Sequence, residues 1–180
     1  MSAAGLAGEL RGHLLFADAP HPVPAAALAD GPVPVAVGGA RVHPAIAVLL
    51  REPLTAQAGP GELVRAVAAA FVAAHLVDPG ARADRFVLGD RPVRLPVRGP
   101  VTVWSGPELP DTYLPEDFGD LPGRLIRLAG LTGGLAAGQL AVLGPLVPRA
   151  GIAARPGTVG LWGPGDAALI VRLIRDGGRP

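Results

Sequence analysis

The sequence predicts one α+β domain over residues 1–180, in which β-sheet is the dominant structure. Short apolar runs separated by turns with proline or glycine predict roughly seven or eight strands, and two further stretches favour helices. A chain of 180 residues is long enough to bury one substantial core without disulfides or metal. Because 49% of the residues are hydrophobic and only 4% are aromatic, we expect small aliphatic side chains to form that core.

The strongest strand candidate is the stretch Arg41–Leu50, RVHPAIAVLL. Side chains alternate between the two faces of a strand, so Arg41, His43 and Ala45 should share one face. A buried Arg or His needs a hydrogen-bonding partner. Either the strand begins in water at this end, or the two polar residues belong to a site.

Glycine and proline predict how the neighbouring segments connect. Residues 33–37 and 41–50 flank Gly38 and Gly39, which predicts an antiparallel hairpin. The proline-rich passage from His21 to Pro34 favours extended chain at the edge of a sheet.

Two stretches favour helices. Residues 61–77 are rich in alanine, but the part from Phe71 onward is apolar all round and could equally be a buried strand. A second helix should follow Asp120, which is suited to an N-cap, and should end at Gly133 and Gly134. Between them, residues 106–119 predict an irregular surface loop. Further strand candidates are residues 86–88, 101–104, 139–143, 158–162 and 167–174, and residues 14–16 form a brief apolar run.

Composition argues against several classes of function. All 16 basic residues are Arg, so there is no lysine to act as a Schiff base or general base. The net charge is +1 with no basic run and few aromatics, so we expect no nucleic-acid partner. There is no cysteine for a thiol nucleophile or thiolate metal site. We expect no membrane partner and a cytoplasmic location, because no secretory signal and no long uncharged apolar stretch is evident.

Several motifs resemble the fumarylacetoacetate hydrolase superfamily, in particular its 2-keto-4-pentenoate hydratase group. They are GHLLFAD from Gly12 to Asp18, RVHPAIAVLL, residues 61–77, and the stretch LAAGQLAVLGPLVPRAGIAARPGTVGLW followed by GPGDAALIVRL. The resemblance implies the mixed β-sandwich or roll of that superfamily with two or so helices. It places Arg41–Leu50 beside residues 71–78 at the mouth of the site. It also implies a homo-oligomer, a dimer or larger.

The departures from the family pattern concern its metal site. Relatives bind Mg²⁺ or Mn²⁺ through three acids, and the corresponding positions here are His43, Ala45 and His75. Hard cations require oxygen ligands, so we expect no metal and no other cofactor. We also expect the chain to lack the N-terminal region that carries the family's catalytic lysine.

The same resemblance suggests candidate site residues. His43 and His75 would face each other as catalytic residues, one imidazole acting as a base while the other donates a proton, or else both pack as structure. Arg41 would bind an anionic oxygen of the substrate, or form a surface salt bridge. Asp18, His13 and Phe16 lie in the stretch that resembles the family's substrate-facing motif and would line the pocket.

The function expected first is a divergent, metal-independent small-molecule enzyme. It would be a cyclase, isomerase or lyase that holds an enolisable or polyene substrate in an apolar pocket, in bacterial natural-product biosynthesis. One alternative is a non-catalytic ligand-binding protein or a partner subunit of a hydratase-like enzyme. Another is a hydratase or decarboxylase of 2-keto acids with unusual His metal ligands.

Overall fold

The computed structural model describes residues 12–16, 19–24, 27–29, 31–35, 39–79, 84–106, 109–146 and 151–175. These residues form twelve strands, three α-helices and a short 3₁₀ helix at Pro164–Asp166. The strands are β1 (Gly12–Phe16), β2 (Ala19–Val23), β3 (Val33–Val35), β4 (Arg41–Leu50), β5 (Val67–Val77), β6 (Arg85–Val93), β7 (Val101–Ser105), β8 (Asp111–Tyr113), β9 (Leu140–Leu143), β10 (Ile152–Ala153), β11 (Gly157–Trp162) and β12 (Ala168–Arg175). The helices are α1 (Pro60–Ala66), α2 (Pro115–Phe118) and α3 (Leu121–Thr132).

The strands form two mixed sheets. The first has seven strands in the order β2-β1-β9-β4-β5-β6, with β10 paired to β4 beside this path. The second has five strands in the order β3-β12-β11-β7-β8. Each sheet contains one parallel pair, β1 with β9 and β12 with β3. The predicted α+β fold dominated by sheet is confirmed, and the proline-rich strands β2 and β3 both lie at sheet edges, where a missing backbone N–H is tolerated.

Strand β4 is covered on both of its faces. Val42, Ile46 and Val48 belong to the main core, which also contains residues from the second sheet and from α3. Ala45 and Ala47 point the other way into a smaller cluster with Leu14, Phe86 and Val142. Strand β4 reads as a nearly continuous apolar run because both of its faces are buried.

The predicted hairpin between residues 33–37 and β4 is wrong. Strand β3 lies in the other sheet, parallel to β12, with Val33 opposite Leu173. Strand β4 pairs instead with β5, β9 and β10. Gly38, the first residue of the predicted turn, lies outside the described residues. The local glycine signal was outweighed by pairing with strands that are distant in the sequence.

Residues 61–77 divide into a helix and a strand. This agrees with the alternative that the part from Phe71 onward is a buried strand. Helix α1 begins with Pro60 in its first turn, where the backbone N–H of Gly59 donates to Glu62 Oε2 at 2.8 Å. Strand β5 starts at Val67, earlier than Phe71, and is hydrogen bonded to β4 on one side and β6 on the other. Two-sided pairing overrides the helix propensity of its alanines.

The remaining helix and loop predictions had mixed outcomes. Helix α3 follows Asp120 and ends at Gly133, which adopts the left-handed conformation, as predicted, although the Asp120 side chain makes no capping hydrogen bond. The stretch 106–119 is not only loop, because it contains β8 and α2. Tyr113 and Phe118 from these elements are buried in the main core. No helix among the described residues is long and apolar enough to span a membrane.

A core substitution in β4 tests this architecture. Ile46 is fully buried between Val72 and Leu143 of the neighbouring strands. We expect Ile46→Ala to lower the free energy of unfolding by about 2–5 kcal/mol, because it removes buried methyl groups and leaves a cavity. Chemical denaturation followed by circular dichroism measures this change.

Ile170 provides the matched control, since it is an isoleucine in a strand but 71% exposed. Ile170→Ala should cost less than about 1 kcal/mol. Equal losses in the two variants would contradict the described packing.

Candidate functional site

His43 and His75 face each other across the β4–β5 ladder, as expected from the resemblance. They are directly opposite in the register, and their ring centroids are 6.0 Å apart. Both residues are buried, with 8% of His43 and 2% of His75 exposed. The ladder therefore holds two imidazoles on one face of the first sheet, the face of the smaller cluster.

Aromatic rings enclose the histidine pair. Phe16 at the end of β1 makes a T-shaped contact with each imidazole, with centroid distances of 5.4 Å to His43 and 5.6 Å to His75. Phe86 of β6 stacks on His75 at 4.7 Å, with only 5° between the ring planes. The two phenyl rings keep the imidazoles in an apolar environment.

Asp84 is a functional candidate that the sequence reasoning missed. Its Oδ2 lies 2.7 Å from Nε2 of His75. This hydrogen bond is the main reason that the pKa of Asp84 is lowered, and burial opposes it. An ionised Asp84 can only accept a hydrogen bond, so Nε2 of His75 keeps its hydrogen and donates it to Asp84. In the neutral imidazole Nδ1 therefore carries the lone pair. No local sequence signal marks Asp84, because its contact with His75 follows from the pairing of β6 with β5, in which Phe86 lies opposite His75.

The surroundings of His43 favour its neutral form. The pKa of His43 is lowered from 6.5 to about 4: burial is the largest cause, the charges of His75 and Arg41 act in the same direction, and Asp84 opposes them. Gly151 packs against the His43 ring: a Cβ at Gly151 would lie 2.7 Å from Cε1, and its φ of +69° also favours glycine. At neutral pH His43 is therefore an uncharged group inside the cluster.

One nitrogen of each imidazole has no hydrogen-bonding partner. Nδ1 of His43 and Nδ1 of His75 are both buried and unpaired among the described residues. Buried polar atoms are normally satisfied, and exceptions occur at sites that bind a ligand or perform chemistry. A ligand that reached the pair could satisfy these two nitrogens.

Arg41 lies at the exposed end of β4, on the same face as His43. Its Nη1 lies 3.5 Å from the carbonyl oxygen of Gly151, which itself contacts the His43 ring. The side chain also lines a cleft of about 360 Å³ with Arg155 and the small residues Gly39, Ala40, Ala153 and Ala154, together with Pro156. Arg41 therefore lies beside the histidine pair, and its charged group is at the surface.

The structure does not bring all the predicted residues together. Phe16 joins the histidine pair, as described above. His13 does not: strand alternation puts it on the face of β1 that it shares with Leu15, a residue of the main core. His13 therefore points away from His43 and His75, because it lies an odd number of residues from Phe16. Asp18 lies outside the described residues.

Three clefts in the described parts of the chain are lined by residues other than the histidine pair. The cleft with Arg41 has a volume of about 360 Å³. The other two, of about 490 and 500 Å³, lie near Arg94 and Arg98 and near Asp90 and Arg91. The apolar pocket expected at the pair stays a prediction.

The donor set does not fit the magnesium or manganese ion of the family. His43, Ala45 and His75 stand where the sequence resemblance places three acids, and Asp84 already accepts a hydrogen bond from His75. These hard ions prefer several oxygen ligands. Within the described residues there is also no group of three or more His, Asp or Glu side chains arranged to hold a metal ion.

Solved structures share this architecture. A provisionally assigned fumarylacetoacetate hydrolase family protein from Yersinia pestis aligns over 92% of both chains, with a TM-score of 0.69 and 17% identity. Maleylpyruvate hydrolase from a Sphingobium species, solved with manganese(II) and pyruvate, aligns over 92% of this chain and 70% of its own, with a TM-score of 0.73 and 14% identity. For 4-oxalocrotonate decarboxylase from Pseudomonas putida, complexed with calcium and acetate, the coverage is 92% and 77%, the TM-score 0.71 and the identity 17%.

The fold is accordingly that of the fumarylacetoacetate hydrolase family, and the structural neighbours of this chain are proteins of that family. No protein-family model and no curated protein matches the sequence. The neighbours include hydrolase, isomerase and decarboxylase enzymes. At these identities the likeness establishes the fold, and the chemistry has to be argued from the residues of this chain.

The lowered pKa of His43 predicts a pH dependence of stability. Between about pH 6.5 and pH 4 the unfolded chain binds a proton at His43 that the folded chain does not. The free energy of unfolding should therefore fall as the pH is lowered through this window, by about 1–3 kcal/mol from His43 alone. Denaturation midpoints of the wild type and of His43→Leu, measured from pH 7 to pH 4, isolate this contribution. Profiles that run parallel in the two proteins would show that His43 is not held neutral by the fold.

Proposed function

We propose that this chain is a metal-independent small-molecule enzyme that transfers protons at an enolisable carbonyl compound, as an isomerase, lyase or cyclase. The observation that carries the proposal is the cross-strand imidazole pair with Asp84 bound to one of its members. In this proposal His75 is the general base, Asp84 orients it, and His43 is a neutral hydrogen-bonding group.

The Asp84–His75 pair has the arrangement that a general base requires. A carboxylate that accepts from Nε2 fixes the tautomer and the orientation of the ring, and it stabilises the imidazolium that forms when Nδ1 takes a proton. In this proposal the substrate proton goes to Nδ1 of His75, which is buried and has no hydrogen-bonding partner among the described residues.

His43 and Arg41 suit the other half of an enolisation. A neutral imidazole with a low pKa can donate a hydrogen bond to a carbonyl oxygen and so stabilise the developing enolate. The positive charge of Arg41, close enough to lower the pKa of His43, favours negative charge in the same region. Arg41 could also hold a carboxylate of the substrate through paired hydrogen bonds.

The structural neighbours suggest which class of compound to use as a test substrate. One was solved with pyruvate and another is named for 4-oxalocrotonate, both of them 2-oxo acids. Metal independence is supported by the donor set, in which imidazoles stand where the resemblance places acids. We further propose a polyene substrate, which the apolar rings around the pair would accommodate, and a place in bacterial natural-product biosynthesis.

Solvent deuterium exchange tests the proposal without knowledge of the natural substrate. Protein treated with EDTA should accelerate exchange of the methyl protons of pyruvate, or of a related 2-oxo acid, in deuterium oxide, as followed by proton NMR. We expect His75→Ala to lower the rate by about a hundredfold or more, and Asp84→Asn by at least about tenfold.

The matched control is His13→Ala, a histidine on the opposite side of β1 that should leave the rate unchanged. Exchange that is equal in His75→Ala and the wild type would remove the histidine from the mechanism. A rate that appears only when zinc or manganese is added would instead support the alternative of a hydratase or decarboxylase with His metal ligands.

A second candidate function is that of a non-catalytic ligand-binding protein or partner subunit. The observation that favours it is the burial of both imidazoles, 8% and 2% exposed, away from the described clefts. In this case the wild type should catalyse no exchange on any 2-oxo acid tested. Both histidines should also resist modification by diethyl pyrocarbonate, as judged by mass spectrometry of peptides. Rapid modification of His43 or His75 in the folded protein would contradict this candidate.

A further inference from the structure

A buried arginine of helix α3 connects three segments beside the candidate site. Arg124 is 6% exposed, and its Nη1 donates to the carbonyl oxygens of Gly144 at 2.6 Å and Phe118 at 2.8 Å. Its Nη2 donates to the carbonyl oxygen of Leu15 at 3.3 Å. The three carbonyls belong to the turn after β9, to α2 and to β1. A single guanidinium therefore ties together segments that lie up to 129 residues apart in the chain.

Two of these carbonyl groups, those of Leu15 and Gly144, belong to residues next to Phe16 in the chain or in contact with its ring. Leu15 directly precedes Phe16, and its carbonyl oxygen also accepts from the backbone N–H of Gly144 at 3.1 Å. A Cβ at Gly144 would lie 2.6 Å from Cδ2 of Phe16, so the phenyl ring rests directly on the Gly144 backbone. The segments that Arg124 holds are thus the segments that fix the ring.

Phe16 is the ring that contacts both imidazoles. Its ring centroid lies at nearly equal distances of 5.4 and 5.6 Å from those of His43 and His75, in T-shaped contact with both. Displacement of Phe16 would open the apolar cover over the pair and let water approach the unpaired Nδ1 atoms. The contacts therefore run from Arg124 through the backbone of Leu15 and Gly144 to Phe16, and from there to the histidines.

We infer that Arg124 is a positioning residue for the histidine site: it sets the Phe16 ring against His43 and His75 by holding the carbonyls of Leu15 and Gly144. The inference deepens the proposed function and rests on it for its meaning in catalysis. Arginine suits this role because its planar group presents several donors in a fixed geometry, whereas the three donors of lysine radiate from one nitrogen.

The test measures the geometry of the site in the folded protein and does not need turnover. Arg124→Met should shift the ring resonances of Phe16 and the Cε1 proton resonances of His43 and His75 in NMR spectra. It should also raise the titration midpoint of His43 from about 4 by about one pH unit, because the ring is less shielded from water. Arg124→Lys should change both readouts in the same direction but by less. Arg127→Met, at an exposed arginine of the same helix, should change neither.

A folded Arg124→Met protein with wild-type resonances and a wild-type midpoint would overturn the inference. If that variant does not fold, Arg124→Lys decides in its place, and unchanged readouts there would overturn it equally. Loss of deuterium exchange in His75→Ala tests the proposed function separately. An altered Phe16 geometry in a protein that shows no exchange at all would support the positioning role while rejecting the catalytic proposal.

Discussion

Antiparallel pairing between β4 and β5 determines where the side chains of the candidate site point. The two strands stay in register from Arg41 opposite Val77 to Leu49 opposite Ala69. A slip by one residue would turn every side chain of a strand to the other face of the sheet. Because both faces of β4 are buried, such a slip would place bulky residues among alanines and alanines in the main core. The same constraint that packs the aliphatic residues therefore fixes His43 opposite His75.

The two imidazoles of the site lie close together but in different electrostatic environments. Asp84 is partly exposed and ionised, and it holds one imidazole by a short hydrogen bond. The other imidazole, that of His43, is kept neutral by burial and by nearby positive charge. Two chemically identical side chains acquire different properties because one has a carboxylate partner and the other does not. An acid–base site needs such a difference between its members.

Part of this arrangement could be predicted from the sequence. The alternation in RVHPAIAVLL placed Arg41, His43 and Ala45 on one face, and helix α3 was bounded correctly by Asp120 and Gly133 because these signals are local. The partner of β3 could not be predicted, since β12 lies about 140 residues away in the sequence and no residue near Gly38 indicates this pairing. Asp84 was missed for a related reason: its role depends on strand pairing, not on a motif of its own. His13 was assigned to the site from a motif, although strand alternation alone separates it from Phe16.

Ala45, completely buried beside His43 on β4, has a consequence for how this chain could change. A glutamate at this position would place an oxygen donor on the same face as two imidazoles, and two histidines with one carboxylate form a common ligand set for ferrous iron. Because Ala45 is completely buried, a carboxylate at this position would be removed from water. Its burial would cost folding free energy unless a cation neutralised the charge. In such a variant, folding and ion uptake would become a single linked equilibrium.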